Sequence, residues 1–306
     1  MKKPITNVAA SVHARLLDRA TAESRPFNEL LQYYGMERFL YRLSRSSHAE
    51  RFVLKGALML RVWGGPMARA TKDIDLLGHV RAEVDGLVAI VRECLAIEVE
   101  DDGIRFDTRS VSGEEIRLDA EYGGIRLRFR GALGKAKLTL QVDVGFGDVV
   151  TPRPTKLVYP SLLNFAGPRL LGYTPETVVA EKLQAMVALD MANTRLKDFL
   201  DIWTLAQGRE FSGPVLASAI DATFRQRKTS TTATSPVALT PAFYAGKEKQ
   251  MQWGAYLRKA RITGAPALLA EVAVKIHQFA MPILAAIADG HAFSKTWQPG
   301  GPWSVR

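Results

Sequence analysis

Two carboxylates on one apolar strand constrain this chain more than any other feature. Residues 73–77 read Asp-Ile-Asp-Leu-Leu, and successive side chains of a strand point to opposite faces. Asp73 and Asp75 therefore share one face, while Ile74 and Leu76 point toward a core. Adjacent negative charges repel each other unless a cation lies between them, and Mg²⁺ binds carboxylates together with phosphate oxygens and water. The pattern indicates either a metal site or an edge strand with two solvated acids.

A glycine turn upstream favours the metal-site interpretation. The apolar run that ends at Lys55 breaks at Gly56 and Ala57, and helical spacing begins after them. Backbone N–H groups converge at the start of a helix and favour a negatively charged phosphate there. A residue without a side chain lets that phosphate approach the main chain closely. The order of strand, glycine turn, helix and acid-bearing strand therefore indicates a phosphate-handling site.

Three motifs carry a resemblance to a known enzyme family. The motifs are Lys55-Gly56, Arg69-x-Thr71-x-Asp73-x-Asp75 and Arg195-x-Lys197-Asp198-x-x-Asp201. The chain resembles the nucleotidyltransferases related to DNA polymerase beta and, among them, the AbiEii/AbiGii toxin family, which includes the MenT toxins of toxin-antitoxin systems. The resemblance implies an enzyme that uses Mg²⁺ and transfers a nucleoside monophosphate from a nucleoside triphosphate (NTP).

The resemblance also implies roles for individual residues. The residues implied in metal binding are Asp73, Asp75 and Asp143. The residues implied in nucleotide binding are Lys55, Gly56, Arg69, Thr71, Lys182, Lys197 and Asp201. The implied catalytic residues are Asp73, Asp75, Lys182 and Asp198. Thr71 stands where the family has serine or threonine, and its phosphorylation is a hypothesis for how the enzyme is inhibited.

Asp143 lies in a region of period-two alternation. Segments 104–106, 125–130 and 138–144 alternate apolar and polar residues between glycine-bearing turns, which predicts a run of antiparallel strands. On the last strand Asp143 shares the polar face with Thr139 and Gln141. In the resembled superfamily a third carboxylate completes the metal site and helps to activate the attacking hydroxyl. The alternative is an exposed acid on a half-buried strand.

Two helical segments in the second half carry the remaining candidates. Thr174-Pro175-Glu176 predicts a capped helix start, and Lys182 falls inside the apolar stripe of that helix. A lysine on an inward face either extends its amine to solvent or finds an anion. The resemblance favours contact with the triphosphate, with Asp198 holding Lys182 or another cation in place. Lys197 and Asp201 are four residues apart and can pair.

Three further segments yield structural predictions. Residues 8–48 predict two helices joined near Pro26, with the basic side chains of Arg38, Arg42 and Arg45 on a solvated face. The proline-rich segment 151–171 predicts a connector. The single cysteine, Cys94, excludes an internal disulfide and a cysteine zinc cluster, and its apolar helical surroundings predict a buried thiol.

Charge points to a polyanionic partner. The net charge is +10, and clustered cations gain free energy by displacing counterions from phosphates. A C-terminal basic segment contains aromatic residues and suits RNA, although a solvated basic helix face is the alternative. Its residues are Lys247, Lys249, Trp253, Tyr256, Arg258, Lys259 and Arg261. No signal peptide or membrane span is visible, so we expect a cytoplasmic protein.

Together these observations predict an α/β (α+β) fold: a mixed sheet flanked by helices, followed by a mostly helical C-terminal domain. We expect a nucleotidyltransferase domain in residues 1–160 and a helical domain in residues 161–306 that completes the cleft. The resemblance implies transfer to RNA, with the tRNA 3′ end as the expected acceptor, and neutralisation by an antitoxin encoded nearby. Two other functions remain open: a phosphotransferase acting on a protein, and an RNA-binding module without catalysis.

Overall fold

The computed structural model describes residues 7–63, 71–117 and 123–305. These residues form two compact units. The first unit contains residues 7–63, 71–117, 123–147 and 155–172, and the second contains residues 148–154 and 173–305. The first is a mixed sheet with helices and the second is mostly helical, as the sequence predicts. The expected domain boundary at residue 160 stays a prediction.

A seven-stranded mixed sheet forms the centre of the first unit. Its strands lie in the order β3-β4-β5-β2-β1-β7-β6. The strands are β1 (Phe52–Lys55), β2 (Asp73–Gly78), β3 (Ile104–Arg117), β4 (Gly123–Leu133), β5 (Ala136–Gly145), β6 (Thr155–Val158) and β7 (Arg169–Gly172). The β2/β5 and β1/β7 pairs are parallel, and the other neighbours are antiparallel. The antiparallel run β3-β4-β5 confirms the prediction from period-two alternation.

Helices of the first unit cover the apolar face of this sheet. They are α1 (Val8–Ala22), α2 (Phe27–Arg45), α3 (Leu58–Val62) and α4 (Val84–Ala96). On β5 the alternate residues Leu138, Leu140, Val142 and Val144 are buried, and α2 packs on that strand. Cys94 of α4 is fully buried, as predicted, and burial raises the pKa of its thiol to about 11.

The basic face predicted for α2 is wrong for two of its three arginines. Arg38 and Arg42 are buried, whereas Arg45 is exposed. Arg38 Nη2 donates to Glu37 Oε1 at 2.7 Å and to a backbone carbonyl at 2.8 Å. Arg42 Nη1 donates to Asp102 Oδ2 at 2.7 Å. Both cations lie inside because carboxylates of the same unit neutralise them, and a helical pattern cannot reveal such distant partners.

The segment predicted as a connector contains two strands. The four-residue strands β6 and β7 form a hairpin, and β7 runs parallel to β1 with Val53 opposite Leu171. The prolines of this segment lie outside the two strands, which is where proline is tolerated near a sheet. Residues from beyond position 150 therefore complete the sheet next to the glycine turn.

The second unit consists mainly of helices. They are α5 (Pro175–Leu189), α6 (Leu196–Gly208), α7 (Gly213–Gln226), α8 (Pro241–Tyr244), α9 (Lys247–Ala260) and α10 (Leu269–Ala288). Three two-residue strands, β8 (Phe211–Ser212), β9 (Thr296–Trp297) and β10 (Trp303–Ser304), form a small sheet. The tail predicted to be irregular therefore contributes β9 and β10. The Thr174 hydroxyl accepts from the backbone N–H of Thr177, so the predicted cap of α5 is confirmed.

Helix α10 is long and apolar enough to cross a membrane by length and composition. Its fully buried residues include Val272, Ile276, Phe279 and Ile283. These residues recur every three or four positions, and the helix packs against α6 and α7. In this structure α10 is a core helix of the second unit.

Candidate active site

The first part of the candidate site is the polar face of β2. Burial alternates along the strand: Ile74 and Leu76 are buried, while Asp73 and Asp75 are half-buried on the other face. Strand β1 pairs with β2 so that Lys55 lies opposite Asp75, and Lys55 is half-buried as well. The alternation predicted from sequence therefore places both carboxylates together, next to the end of β1.

Gly56 brings the backbone against the Asp75 carboxylate. Its φ of +72° lies in the left-handed region, which glycine adopts readily. A Cβ built on Gly56 would stand 2.0 Å from Asp75 Oδ2, a distance that no side chain can occupy. Helix α3 begins two residues later, at Leu58. The turn is therefore conformationally and sterically reserved for glycine, and it leaves the main chain accessible beside a carboxylate.

The third candidate carboxylate, Asp143, is held by an arginine. On the parallel pair β2/β5 it lies opposite Asp75, and on β4 it faces Arg126. Arg126 Nε and Nη2 donate to the two Asp143 oxygens at 2.8 and 2.7 Å, and Gln141 Nε2 donates at 3.3 Å. Asp143 is buried, and its carboxylate raises the pKa of the Arg126 guanidinium. Sequence analysis missed Arg126, although its place on the polar face of β4 was readable.

The donor set of this face fits a divalent cation. Across residues 7–63, 71–117 and 123–305, no three Asp, Glu, His or Cys side chains are gathered into a set able to hold a metal ion. Mg²⁺ in nucleotide sites uses one or two carboxylates and takes its other ligands from substrate phosphates and water. Asp73 and Asp75 supply two such oxygen donors beside a turn suited to phosphate. The assignment of Asp143 as a third ligand stays a prediction.

Thr71 lies at the entrance to β2. Its backbone N–H donates to the Tyr33 hydroxyl at 3.1 Å, and its Oγ1 donates to the Asp73 carbonyl at 3.3 Å. These contacts place a half-buried hydroxyl two residues before the first carboxylate. Arg69, the other predicted residue of this segment, lies outside the described residues.

A second cluster of predicted residues lies within the second unit. Lys182 Nζ of α5 is 2.6 Å from Asp198 Oδ1 and 2.8 Å from Asp201 Oδ2, both on α6. Arg195 Nε is 2.8 Å from Asp198 Oδ2. The two aspartate side chains are 1% exposed, and the lysine side chain is 14% exposed. Residues three apart share a helix face, so α6 presents both acids to one lysine.

The structure therefore explains the lysine in the apolar stripe of α5. Its amine binds two buried carboxylates, one of which is the Asp198 expected to hold it. Asp201, which can pair with Lys197 by spacing, instead contacts Lys182, and Lys197 is exposed. The ligand roles predicted for these residues stay predictions.

The C-terminal basic segment forms α9 with a mixed surface. Lys247, Arg258 and Lys259 are exposed. Trp253 is fully buried and donates its indole N–H to the Pro266 carbonyl at 3.0 Å. Its expected stacking on RNA bases is therefore wrong, because the ring belongs to the core. Lys249 lies 4.5 Å from the ring centre of Phe243.

The mixed sheet, the glycine turn and the paired acids of β2 define the chain as a nucleotidyltransferase. Residues 38–273, well over half of the sequence, match the family described as Nucleotidyl transferase AbiEii toxin, Type IV TA system. The chain belongs to this family, as the motif resemblance indicated. Membership implies an NTP substrate and an antitoxin partner.

Comparison with solved structures gives distant similarities. The structure of JHP933 from Helicobacter pylori has 14% identity and a TM-score of 0.48, and the alignment covers 86% of this chain and 94% of that chain. An antigenic nucleotidyltransferase-like protein from Paracoccidioides brasiliensis has 15% identity and a TM-score of 0.32, with 69% of this chain and 80% of that chain covered. No curated protein matches the chain significantly.

Proposed function

We propose that this protein is a cytoplasmic, Mg²⁺-dependent toxin that transfers a nucleoside monophosphate from an NTP to the 3′ end of an RNA, with tRNA as the expected acceptor. The supporting observation is the pair of half-buried carboxylates beside the Gly56 turn. The net charge of +10 supports an RNA partner. Transfer to the tRNA 3′ end blocks aminoacylation, and a cognate antitoxin relieves the resulting growth arrest.

The chain contributes binding and charge stabilisation to this reaction. Asp73 and Asp75 would hold a divalent ion, which when bound supplies Lewis-acid stabilisation of the phosphate oxygens. The backbone N–H groups after Gly56 bind phosphate, and Lys55 adds a positive charge next to Asp75. Lys182, held by Asp198 and Asp201, is the proposed cation for the triphosphate. These groups position the NTP and offset the charge that develops during transfer.

The chemical step is a substitution at the α-phosphorus. The acceptor hydroxyl oxygen forms a bond to that phosphorus, and the bond to the bridging oxygen of the β-phosphate breaks. Pyrophosphate leaves with the bonding electrons, and the hydroxyl proton passes to water. Asp143 neighbours the proposed metal carboxylates, but Arg126 holds both of its oxygens. Its proposed role is therefore to organise the site through Arg126.

The decisive experiment incubates the purified protein with total tRNA, Mg²⁺ and each α-labelled NTP in turn. The matched control is Asp73→Asn, which keeps the shape of the side chain and removes its charge. We expect label on tRNA with one NTP or a few, and a loss of about 10³-fold in the control, which corresponds to about 4 kcal/mol of transition-state stabilisation. Folded protein that labels no RNA with any NTP contradicts the proposal.

A parallel reaction with γ-labelled NTP separates this function from a protein phosphotransferase. Nucleotidyl transfer retains the α-label on the acceptor and releases the γ-label in pyrophosphate. Phosphoryl transfer does the opposite. An RNA-binding module without catalysis retains neither label, even though it binds RNA.

Phosphorylation of Thr71 is the proposed mode of inhibition. Its hydroxyl touches the Asp73 backbone at 3.3 Å, and a phosphate group there adds about −1.5 to −2 charge. This charge would lie beside the two carboxylates and repel the NTP. Intact-mass analysis after co-expression with the antitoxin checks the proposal; an unmodified Thr71 together with lost toxicity contradicts it.

A further inference from the structure

A cavity of about 590 Å³ lies in the first unit, and Asp73 forms part of its wall. The first turns of α2, the start of β2 and the polar faces of β4 and β5 enclose it. The residues that matter here are Asn28, Gln32, Asp73, Arg128, Thr139 and Gln141. Its volume is that of a small-ligand site. None of these residues other than Asp73 has a role in the site described above.

The cavity and the glycine turn lie on opposite sides of β2. Strand β1, which carries Lys55 and leads into Gly56, pairs with one edge of β2. Strand β5 pairs with the other edge, where Gln141 lies opposite Asp73. A ligand at the turn therefore approaches the carboxylate pair from the β1 side, and a ligand in the cavity approaches it from the β5 side. Two substrates can reach the pair without competing for one place.

The cavity wall offers the chemistry that a nucleoside requires. Asn28, Gln32 and Gln141 carry amides, and each amide provides both donors and an acceptor. The Gln32 amide is fixed in place because its Nε2 donates to the Thr139 carbonyl at 3.0 Å and to the Lys72 carbonyl at 3.3 Å. Neutral groups of this kind match the edge of a nucleobase, which also presents donors and acceptors.

Arg128 adds a planar cation to this wall. Its Nη1 is 2.6 Å from Glu114 Oε1, and the two side chains are 43% and 52% exposed. An ion pair this exposed gains little free energy, so the guanidinium can exchange it for a ligand. Arginine stacks on base rings and binds phosphate with two parallel hydrogen bonds. A nucleotide uses both properties, whereas a serine or threonine side chain of a protein acceptor uses neither.

We propose that this cavity binds the terminal nucleoside of the RNA acceptor and directs its ribose hydroxyl toward Asp73. The assignment rests on the proposed nucleotidyl transfer, because the NTP is taken to use the Gly56 side. It makes Arg128 and Gln141 determinants of acceptor binding that do not touch the NTP.

The test compares two arginines of one strand face. Arg128 and Arg130 are two residues apart on β4, and each pairs with a carboxylate. Only Arg128 lines the cavity, and the Arg130 side chain is 70% exposed. Arg128→Ala and Arg130→Ala remove the same charge, so their difference isolates the cavity from general attraction to RNA. Equal thermal unfolding temperatures of the two variants establish that both are folded.

The first readout is the affinity for a fluorescent single-stranded RNA, measured by anisotropy without NTP or Mg²⁺. A second RNA has an abasic sugar at its 3′ end. We expect Arg128→Ala to weaken binding of the intact RNA about tenfold and Arg130→Ala to weaken it less than twofold. The abasic RNA should bind wild type and Arg128→Ala with equal affinity. Equal effects of the two arginines, or no binding of RNA by the wild type, overturn the proposal.

The second readout separates this proposal from the function on which it rests. In the α-label assay, Arg128→Ala should raise KM for RNA about tenfold and leave KM for NTP unchanged. If transfer occurs and KM for RNA does not change, the cavity assignment is wrong and nucleotidyl transfer stands. If no label is transferred while RNA binding depends on Arg128 and on the terminal base, the cavity assignment stands and the reaction is wrong.

Discussion

The molecule carries two pairs of aspartates, and the two pairs are built in opposite ways. Asp73 and Asp75 are two apart on a strand, half-buried, beside a turn without a side chain. Asp198 and Asp201 are three apart on a helix, almost fully buried, and both contact Lys182. The same residue type is thus left accessible to a ligand in one unit and consumed by internal ion pairs in the other. Burial and partners, more than residue identity, distinguish a binding pair from a positioning pair.

Replacing Lys182 should break this contrast most severely. Lys182→Met leaves two buried carboxylates short of their shared cation, and we expect the free energy of unfolding to fall by about 3–5 kcal/mol. Asp73→Asn, at the accessible pair, should change it by less than about 1 kcal/mol. Urea denaturation followed by circular dichroism measures both. A Lys182→Met protein as stable as the wild type would show that the second pair is not held as the structure indicates.

The glycine turn provides the next largest effect. Gly56→Ala places a Cβ against Asp75 Oδ2 and adds strain at a φ of +72°, so we expect about 2–3 kcal/mol of destabilisation and a strong loss of nucleotidyl transfer. Gly147 is the matched control, because its φ is +78° and an added Cβ meets nothing within 4 Å. Gly147→Ala should lose only about 1 kcal/mol, from backbone strain alone. Equal losses in the two variants would contradict a specific contact between the turn and Asp75.

Arg126 tests whether the accessible pair can become a larger metal site. Arg126→Gln removes a positive charge near Asp73 and Asp75 and frees the Asp143 oxygens. We expect the affinity for Mn²⁺, measured by electron paramagnetic resonance without nucleotide, to rise about fivefold, or by about 1 kcal/mol. Arg130→Gln, farther along the same strand face, should leave that affinity unchanged. Unchanged or weaker Mn²⁺ binding in Arg126→Gln would indicate that the arginine organises the metal ligands.

Lys197 marks the small end of the comparison. It lies next to Asp198 in sequence, yet it is exposed, so Lys197→Ala should change the free energy of unfolding by less than about 0.5 kcal/mol. If Lys197 binds nucleotide, KM for NTP should rise severalfold with kcat unchanged. A stability loss as large as that of Lys182→Met would remove the distinction between the two lysines.

Local periodicity was sufficient to predict much of this molecule. Alternation along one strand placed Asp73 and Asp75 on the same face, and helical spacing identified Lys182 as an anomaly that needed an anion. The threonine cap and following proline located the start of α5. Each of these features depends on residues within a few positions of one another, so the sequence contains the full signal.

Long-range neighbours were not readable in the same way. Arg126 meets Asp143 because β4 and β5 form a hairpin, and Asp143 meets Asp75 because β5 and β2 are adjacent in the sheet. Strand order of that kind arises from tertiary packing. For the same reason Arg42 was placed in solvent, since its partner Asp102 is sixty positions away. Strands β6 and β7 are too short to show alternation, and they form by pairing with each other and with β1.

The parallel contact between β1 and β7 also has a consequence for how the protein is made. Strand β1 leads into the Gly56 turn, yet its neighbour ends at Gly172. During synthesis on the ribosome, the chain therefore emerges with β1 paired on one edge only until more than half of its 306 residues are translated. An exposed strand edge is prone to pair with other chains. A shortened gene product that stops between Gly147 and Thr155 would contain every predicted metal ligand on an unfinished sheet.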